Sequence, residues 1–136
     1  LVFKLDGKGT LPELAPPSKI PPPPLSRAPE ELVLRGQAVY ERVCATCHGR
    51  SVRGGLKDLR YMTRETHAKF KDIVLEGIYV EKGMPGFADV VTPQELAAVH
   101  AYVVARANED YLSDGGMSET PPTTPVADAA NQDAAP

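Results

Sequence analysis

An all-α domain of three to four helices over residues 29–112 is the fold class this sequence predicts, and three observations predict it. Apolar residues recur at helical spacing in three segments. Helix-start signals precede those segments, and glycine and proline punctuate the gaps between them. The run Cys44-Ala45-Thr46-Cys47-His48 asks for a helical turn, because positions i, i+3 and i+4 share one face only there.

Residues 1–28 come first and read as an extension. Leu1-Val2-Phe3-Lys4-Leu5 is strand-like and closes on the turn dipeptide Asp6-Gly7. A lone strand has no stability of its own, so this run is expected to be the remnant of a sheet lying elsewhere. The chain opens on Leu1 rather than methionine and is expected to be a processed or excised piece. Pro16-Pro17 and Pro21-Pro22-Pro23-Pro24 make a semi-rigid polyproline II spacer. A ligand for a proline-reading domain is the competing view.

The first helix starts near Pro29, with Glu30 and Glu31 in its first turn, and runs to about Val43. Leu32, Gly36, Val39, Tyr40 and Val43 form its apolar stripe. Gly36 inside it costs about 1 kcal/mol against alanine, which a close helix contact would explain. Residues 49–61 are loop-like, with Gly49, Gly54 and Gly55. A second helix is expected from Thr63, an N-cap, to Glu76, ended by Gly77, with Phe70, Ile73 and Val74 inward. The irregular segment Gly83-Met84-Pro85-Gly86-Phe87 follows. The last helix has the clearest start: Thr92 caps it, Pro93 takes the first position and Glu95 completes a capping box. It runs through Leu96, Val99, Tyr102 and Val103 to about Asn108. From residue 113 the Ala, Pro, Thr and Asp composition predicts a disordered acidic tail.

The totals narrow the chemistry. A chain of 136 residues has room for one domain plus extensions, and its 14 prolines cluster outside the centre. A core this small often needs a staple. Both cysteines lie in the Cys-x-x-Cys-His run, so no structural disulfide is available elsewhere. No apolar run is long enough to span a bilayer, and nothing resembles a signal peptide. The net charge of −3 conceals a polarity: Arg50, Arg53, Lys57, Arg60, Arg64, Lys69 and Lys71 face only Asp58 and Glu65 between residues 50 and 71. That segment could neutralise anionic groups of a cofactor and steer an acidic partner, or simply be a solvated surface. It is not a nucleic-acid stripe.

Cys44, Cys47 and His48 read as the covalent attachment site of one c-type haem. Two thiols on one face can add to two vinyl groups while the imidazole reaches the iron. The same haem would staple the small core. A redox dithiol competes, as does a zinc site from Cys44, Cys47, His48 and either His67 or His100. Adjacent Cys47 and His48 are awkward as two ligands of one small ion. Haem c is attached outside the bacterial cytoplasm, so a periplasmic location is expected. The iron's sixth position falls to Met84, whose glycine- and proline-flanked loop can carry a thioether to the metal. Met62 precedes a helix and Met117 lies in the tail. Methionine–histidine ligation suits single-electron transfer. A sensor or peroxidase with an open iron site, Met84 being structural, belongs to a different class. His48 is expected to donate its other ring N–H to a carbonyl in the loop before Asp58.

The helix with Gly36 and Tyr40, the Cys-Ala-Thr-Cys-His motif, the Gly-Met-Pro-Gly-Phe loop and the last helix with Tyr102 together resemble a class I cytochrome c over residues 32–108. The resemblance implies that the first and last helices cross at Gly36 and Tyr102. A narrower set resembles the C-terminal cytochrome domain of quinohaemoprotein alcohol dehydrogenases, enzymes that carry pyrroloquinoline quinone (PQQ). That set is Gly54-Gly55, Asp58-Leu59-Arg60, residues 70–77, Gly83-Met84-Pro85, the opening strand and the proline linker. This resemblance implies that Arg60 lies near a haem propionate. Lys57 stands where the family usually has proline. It also implies a parent chain whose PQQ and calcium domain oxidises alcohols and feeds this haem. An external acceptor follows, such as a soluble cytochrome, a copper protein or a membrane quinone system. The chain alone would be no enzyme. A free-standing periplasmic cytochrome, or a cytochrome subunit of another complex, is the alternative.

Overall fold

Pro29 needs no helical N–H partner, and Glu30 and Glu31 complement the start of the helix that follows. In the computed structural model, which describes residues 18–115 together with residue 13, that helix is α1 (Glu30–Val43). Cys44 keeps right-handed helical geometry and leads into the single turn α2 (Ala45–His48). Two further short helices, α3 (Arg64–Ala68) and α4 (Phe70–Val74), precede the long α5 (Pro93–Ser113). Three 3₁₀ turns, Arg50–Val52, Leu59–Tyr61 and Val80–Lys82, punctuate the loops. No strand occurs among the described residues. The strand-like run at 1–5 and most of the acidic tail lie outside them.

The α1–α5 crossing organises the core. A Cβ built on Gly36 would sit 1.9 Å from the Ala98 carbonyl oxygen and 3.0 Å from Tyr102 Cβ. Only glycine permits that approach. The crossing expected at Tyr102 is therefore centred one turn earlier, on the Ala98 backbone, with Tyr102 flanking it. One turn along α1, Tyr40 packs its ring against Tyr102 at 5.3 Å between centroids. Val39, Leu96, Val99 and Val103 complete the seam, and Phe70 and Val74 close it from α4.

The structure divides the expected 63–76 helix in two. Thr63 caps it, accepting from the Thr66 N–H at 3.2 Å. At Lys69, however, the backbone leaves helical geometry (ψ 11°), and α4 starts at Phe70. Beside the break lies a pair that periodicity missed. His67 Nδ1 lies 3.0 Å from His100 Nε2, and Phe70 stacks on His100 at 4.4 Å. Burial pushes His67 down to about 4, helped by the neighbouring His100, which burial also lowers. Between pH 4 and the ordinary value of 6.5 the unfolded chain therefore binds the extra proton and the folded one does not. Stability falls on acidification through that window, by at most about 1.4 kcal/mol per pH unit for one group. His67→Gln is expected to flatten the dependence of the urea midpoint on pH between 6.5 and 4.5. An unchanged slope would contradict this.

α5 has the full capping box: the Thr92 N–H donates to Glu95 at 2.9 Å and the Glu95 N–H to Thr92 Oγ1 at 3.2 Å. It extends past the expected Asn108 to Ser113 because its last turns still hold contacts. Ala107 and Asp110 are buried, and Asn108 donates to the Pro24 carbonyl at 2.7 Å. That last bond belongs to the proline-rich stretch, which lies against the domain. Tyr61 donates its hydroxyl to the Ser18 carbonyl at 2.9 Å, and Ile20 is only 4 % exposed. Ile20→Ser should cost about 1–3 kcal/mol of stability, the value of one buried aliphatic side chain. It should also open residues 18–28 to limited proteolysis. Cleavage no faster than in the wild type would show that Ile20 does not fasten the segment.

Candidate metal centre

Three donors converge on one turn because the helix continues through them. The Cys44 N–H bonds to the Tyr40 carbonyl at 2.8 Å, and the Cys47 and His48 N–H groups bond to the Cys44 carbonyl at 3.2 and 3.0 Å. Cys44, Cys47 and His48 thus share a face. Cys44 and Cys47 are not joined in a disulfide. Burial pushes the Cys44 thiol up to about 11, with Cys47 adding to the effect. A reactive dithiol needs the opposite shift, toward the anion. Among the described residues no group of three or more His, Cys, Asp or Glu side chains stands together as a metal cage. His67 and His100 bond to each other.

Both ends of His48 are fixed. Its Nδ1 lies 2.9 Å from the Lys57 carbonyl oxygen, which makes Nδ1 the ring donor and leaves the Nε2 lone pair for a metal. The Tyr40 hydroxyl donates to the carbonyls of Gly49 at 2.9 Å and His48 at 3.3 Å, holding the main chain. Burial raises the Tyr40 hydroxyl far above its ordinary range, so it stays a donor. The loop folds back onto the motif: the Leu56 N–H reaches the Cys47 carbonyl at 2.7 Å. Gly55 permits this, at φ 65°, where a Cβ would fall 2.4 Å from that same carbonyl.

Met84 follows the Val80–Lys82 turn. Its N–H bonds to the Tyr79 carbonyl at 3.2 Å, and the Phe87 N–H returns the loop to Val74 at 2.8 Å. Its side chain is half-buried against the core, as are Val43, Cys44, Leu59, Leu75 and Phe87. Leu56 is 86 % exposed. A flat apolar macrocycle suits this half-buried apolar rim, and two thiols, one free imidazole nitrogen and one thioether suit its covalent and axial bonds. The donor set fits a haem c. Met62, by contrast, is buried in the core at 8 % exposure, in a packing role. Met117 lies outside the described residues.

Arg60 is held by two carboxylates. It donates to Asp58 through Nε at 3.0 Å and through a terminal nitrogen at 2.6 Å, and to Asp110 at 3.2 Å. Asp110, 5 % exposed, also takes Arg53 Nε at 2.8 Å and is held below its ordinary range chiefly by that bond. Asp110 is a site residue the sequence alone did not mark; Arg53 stood out only as part of the basic segment, Tyr40 only as part of the helix pattern, and the Lys57 carbonyl only as some carbonyl before Asp58. One signal was available. Val103, Ala107 and Asp110 share a helical face, and a carboxylate on an apolar stripe needs a cationic partner.

Residues 31–103 match the family described as cytochrome C oxidase, cbb3-type, subunit III. The chain is 42 % identical over 118 residues to the quinohemoprotein alcohol dehydrogenase ADH IIB of Pseudomonas putida, covering 83 % of the chain and 17 % of that protein. It is 35 % identical to the dehydrogenase subunit of the alcohol dehydrogenase (quinone) of Acetobacter aceti, over 80 % of the chain and 15 % of that protein. A solved structure of quinohemoprotein alcohol dehydrogenase ADHIIG from Pseudomonas putida HK5 superposes with a TM-score of 0.65 at 36 % identity, over 80 % of the chain and 16 % of that structure. The chain spans about a sixth of the length of these relatives. No described helix is long and apolar enough to cross a membrane.

Proposed function

Because the chain belongs to this cytochrome c family, whose domains carry haem c and transfer electrons, we propose that it takes single electrons from the PQQ site of a parent alcohol dehydrogenase and passes them to an external acceptor in the periplasm. The observation that carries the reading is the covalent and axial donor set on one helical turn, beside the likeness to the cytochrome portion of quinohaemoprotein alcohol dehydrogenases. A bound haem c would supply an iron that takes up and releases one electron. Cys44 and Cys47 would hold it by thioether bonds, His48 through Nε2 while the Lys57 carbonyl holds the other ring nitrogen, and Met84 through its sulfur. The chain's own residues need only keep their geometry. The half-buried Val43, Leu59, Leu75 and Phe87 beside the site would shield one side of the haem from water.

The parent's PQQ and calcium lie outside this chain's residues, and so does the alcohol site. Arg60 can still offer a remaining N–H to a haem propionate while bonded to Asp58 and Asp110. The test compares two haem-loaded preparations. Ascorbate should reduce the isolated chain, and alcohol should not. In the parent chain with PQQ and calcium, alcohol should reduce the same haem. Alcohol-driven reduction of the isolated chain, or none in the parent, would contradict the proposal.

A further inference from the structure

Asp110 lies outside the family match, on the far end of α5, yet it takes three guanidinium groups. Arg53 and Arg60 reach it from the loop and Arg106 from its own helix at 3.5 Å. Arg53 and Arg60 bracket the segment that presents the Lys57 carbonyl to His48. Within that bracket Asp58 ties the ends together, accepting from the Gly54 N–H at 3.0 Å, the Arg60 N–H at 3.1 Å and the Arg60 guanidinium. The loop needs such fastening. Ser51 and Val52 both sit at positive φ, 54° and 70°, although neither is glycine and Val52 is β-branched and fully buried. Conformations of this kind persist only where the surroundings enforce them.

We infer that Asp110 is a positioning residue for the haem's axial histidine: by holding Arg53 and Arg60 it fixes the loop whose Lys57 carbonyl accepts from His48. The inference rests on the haem reading above. Its consequence is electronic. A well-placed carbonyl on Nδ1–H makes the imidazole a stronger donor to the metal and favours the ferric state. When the loop slackens, that hydrogen bond weakens and the ferrous state gains.

The sign of the effect separates bracing from simple charge. Asp110→Asn removes a negative charge and Arg53→Gln removes a positive one. A field acting at a distance would shift the redox equilibrium in opposite directions. Loss of the brace shifts both toward the ferrous form. The experiment is a potentiometric titration of haem-loaded wild type, Asp110→Asn and Arg53→Gln, with exchange of the His48 Nδ1–H proton followed by NMR. Both variants should raise the ferrous fraction at a fixed applied potential and speed the Nδ1–H exchange. Should Asp110→Asn fail to mature, Arg53→Gln alone still decides, because its charge effect has the opposite sign. A shift toward ferric in Arg53→Gln, or unaltered potential and exchange, would overturn the inference while leaving the haem reading intact. Colourless wild-type protein would overturn the haem reading, and this inference with it.

Discussion

Gly36→Ala is expected to cost the domain a large share of its stability. The added methyl would meet the Ala98 carbonyl at 1.9 Å and its carbon at 2.4 Å, both main-chain atoms of the helix packed opposite. A flexible side chain could swing aside; a helix backbone cannot, so α1 and α5 must separate. Overpacking by one methyl group in a well-filled core costs about 1–3 kcal/mol, and parting two helices along the main seam lies at or above the top of that range. Against a total of about 5–15 kcal/mol for a typical domain, the loss is severe. The same separation would pull Tyr40 from Tyr102 and weaken its hold on the His48 and Gly49 carbonyls. Gln37→Ala, one residue away on the exposed face, should stay within about 0.5 kcal/mol of wild type. Chemical denaturation of the two variants checks this. Equal midpoints would mean that the α1–α5 crossing is not as close as described.

Met84→Ala is the second large effect, and it is a redox effect. On the proposed ligation by Met84, the neutral thioether would hold the reduction potential high, and its removal would leave that position on the iron to water or open. The potential should fall by on the order of 0.1 V or more, within the roughly 0.8 V that axial ligands span. The sulfur–iron charge-transfer band at the red end of the ferric spectrum should vanish, and the reduced form should bind carbon monoxide rapidly. Stability should fall less than the potential, since Met84 is half-buried and the loop keeps its backbone bonds to Tyr79 and Val74. An unaltered spectrum and potential would assign Met84 to packing and return the sixth position to another group.

The parts of this molecule that could be read from sequence are those set by near neighbours. The Thr92 capping box, the start of α1 at Pro29 and the turn carrying Cys44, Cys47 and His48 each depend on residues at most four apart. Gly36 was legible as a close contact because a glycine at an apolar helix position asks for a reason. The Lys57 carbonyl was anticipated only as some carbonyl before Asp58. Backbone groups carry no sequence signature, so the choice among them required the loop's path. Asp110 and Arg53 meet across 57 positions, and Tyr61 and Ser18 across 43. Periodicity within one segment cannot report such pairings. The break at Lys69 was missed for the same reason. It lies two residues from the His67–His100 contact, which links two helices whose separate patterns looked complete.

Acid sensitivity should show the same division. Asp58 and Asp110 are held below their ordinary value of 3.8: Asp110 mainly by Arg53, and Asp58, against burial as its largest single influence, by the bonds from Arg60 and the Gly54 N–H together. Groups with depressed native values contribute stability above the unfolded value and lose it as pH falls through the native one. Their contribution therefore disappears below about pH 4, after the His67 pair has already weakened the fold between 6.5 and 4.

The central claim is a haem bonded through both thiols of the Cys44–His48 turn, and intact mass of the matured, denatured chain tests it most directly. The account predicts a single species heavier by one haem, retained after acid–acetone extraction and giving the narrow reduced-state bands of a two-thioether haem. Full-length protein at its bare polypeptide mass, or haem lost on extraction, would contradict it.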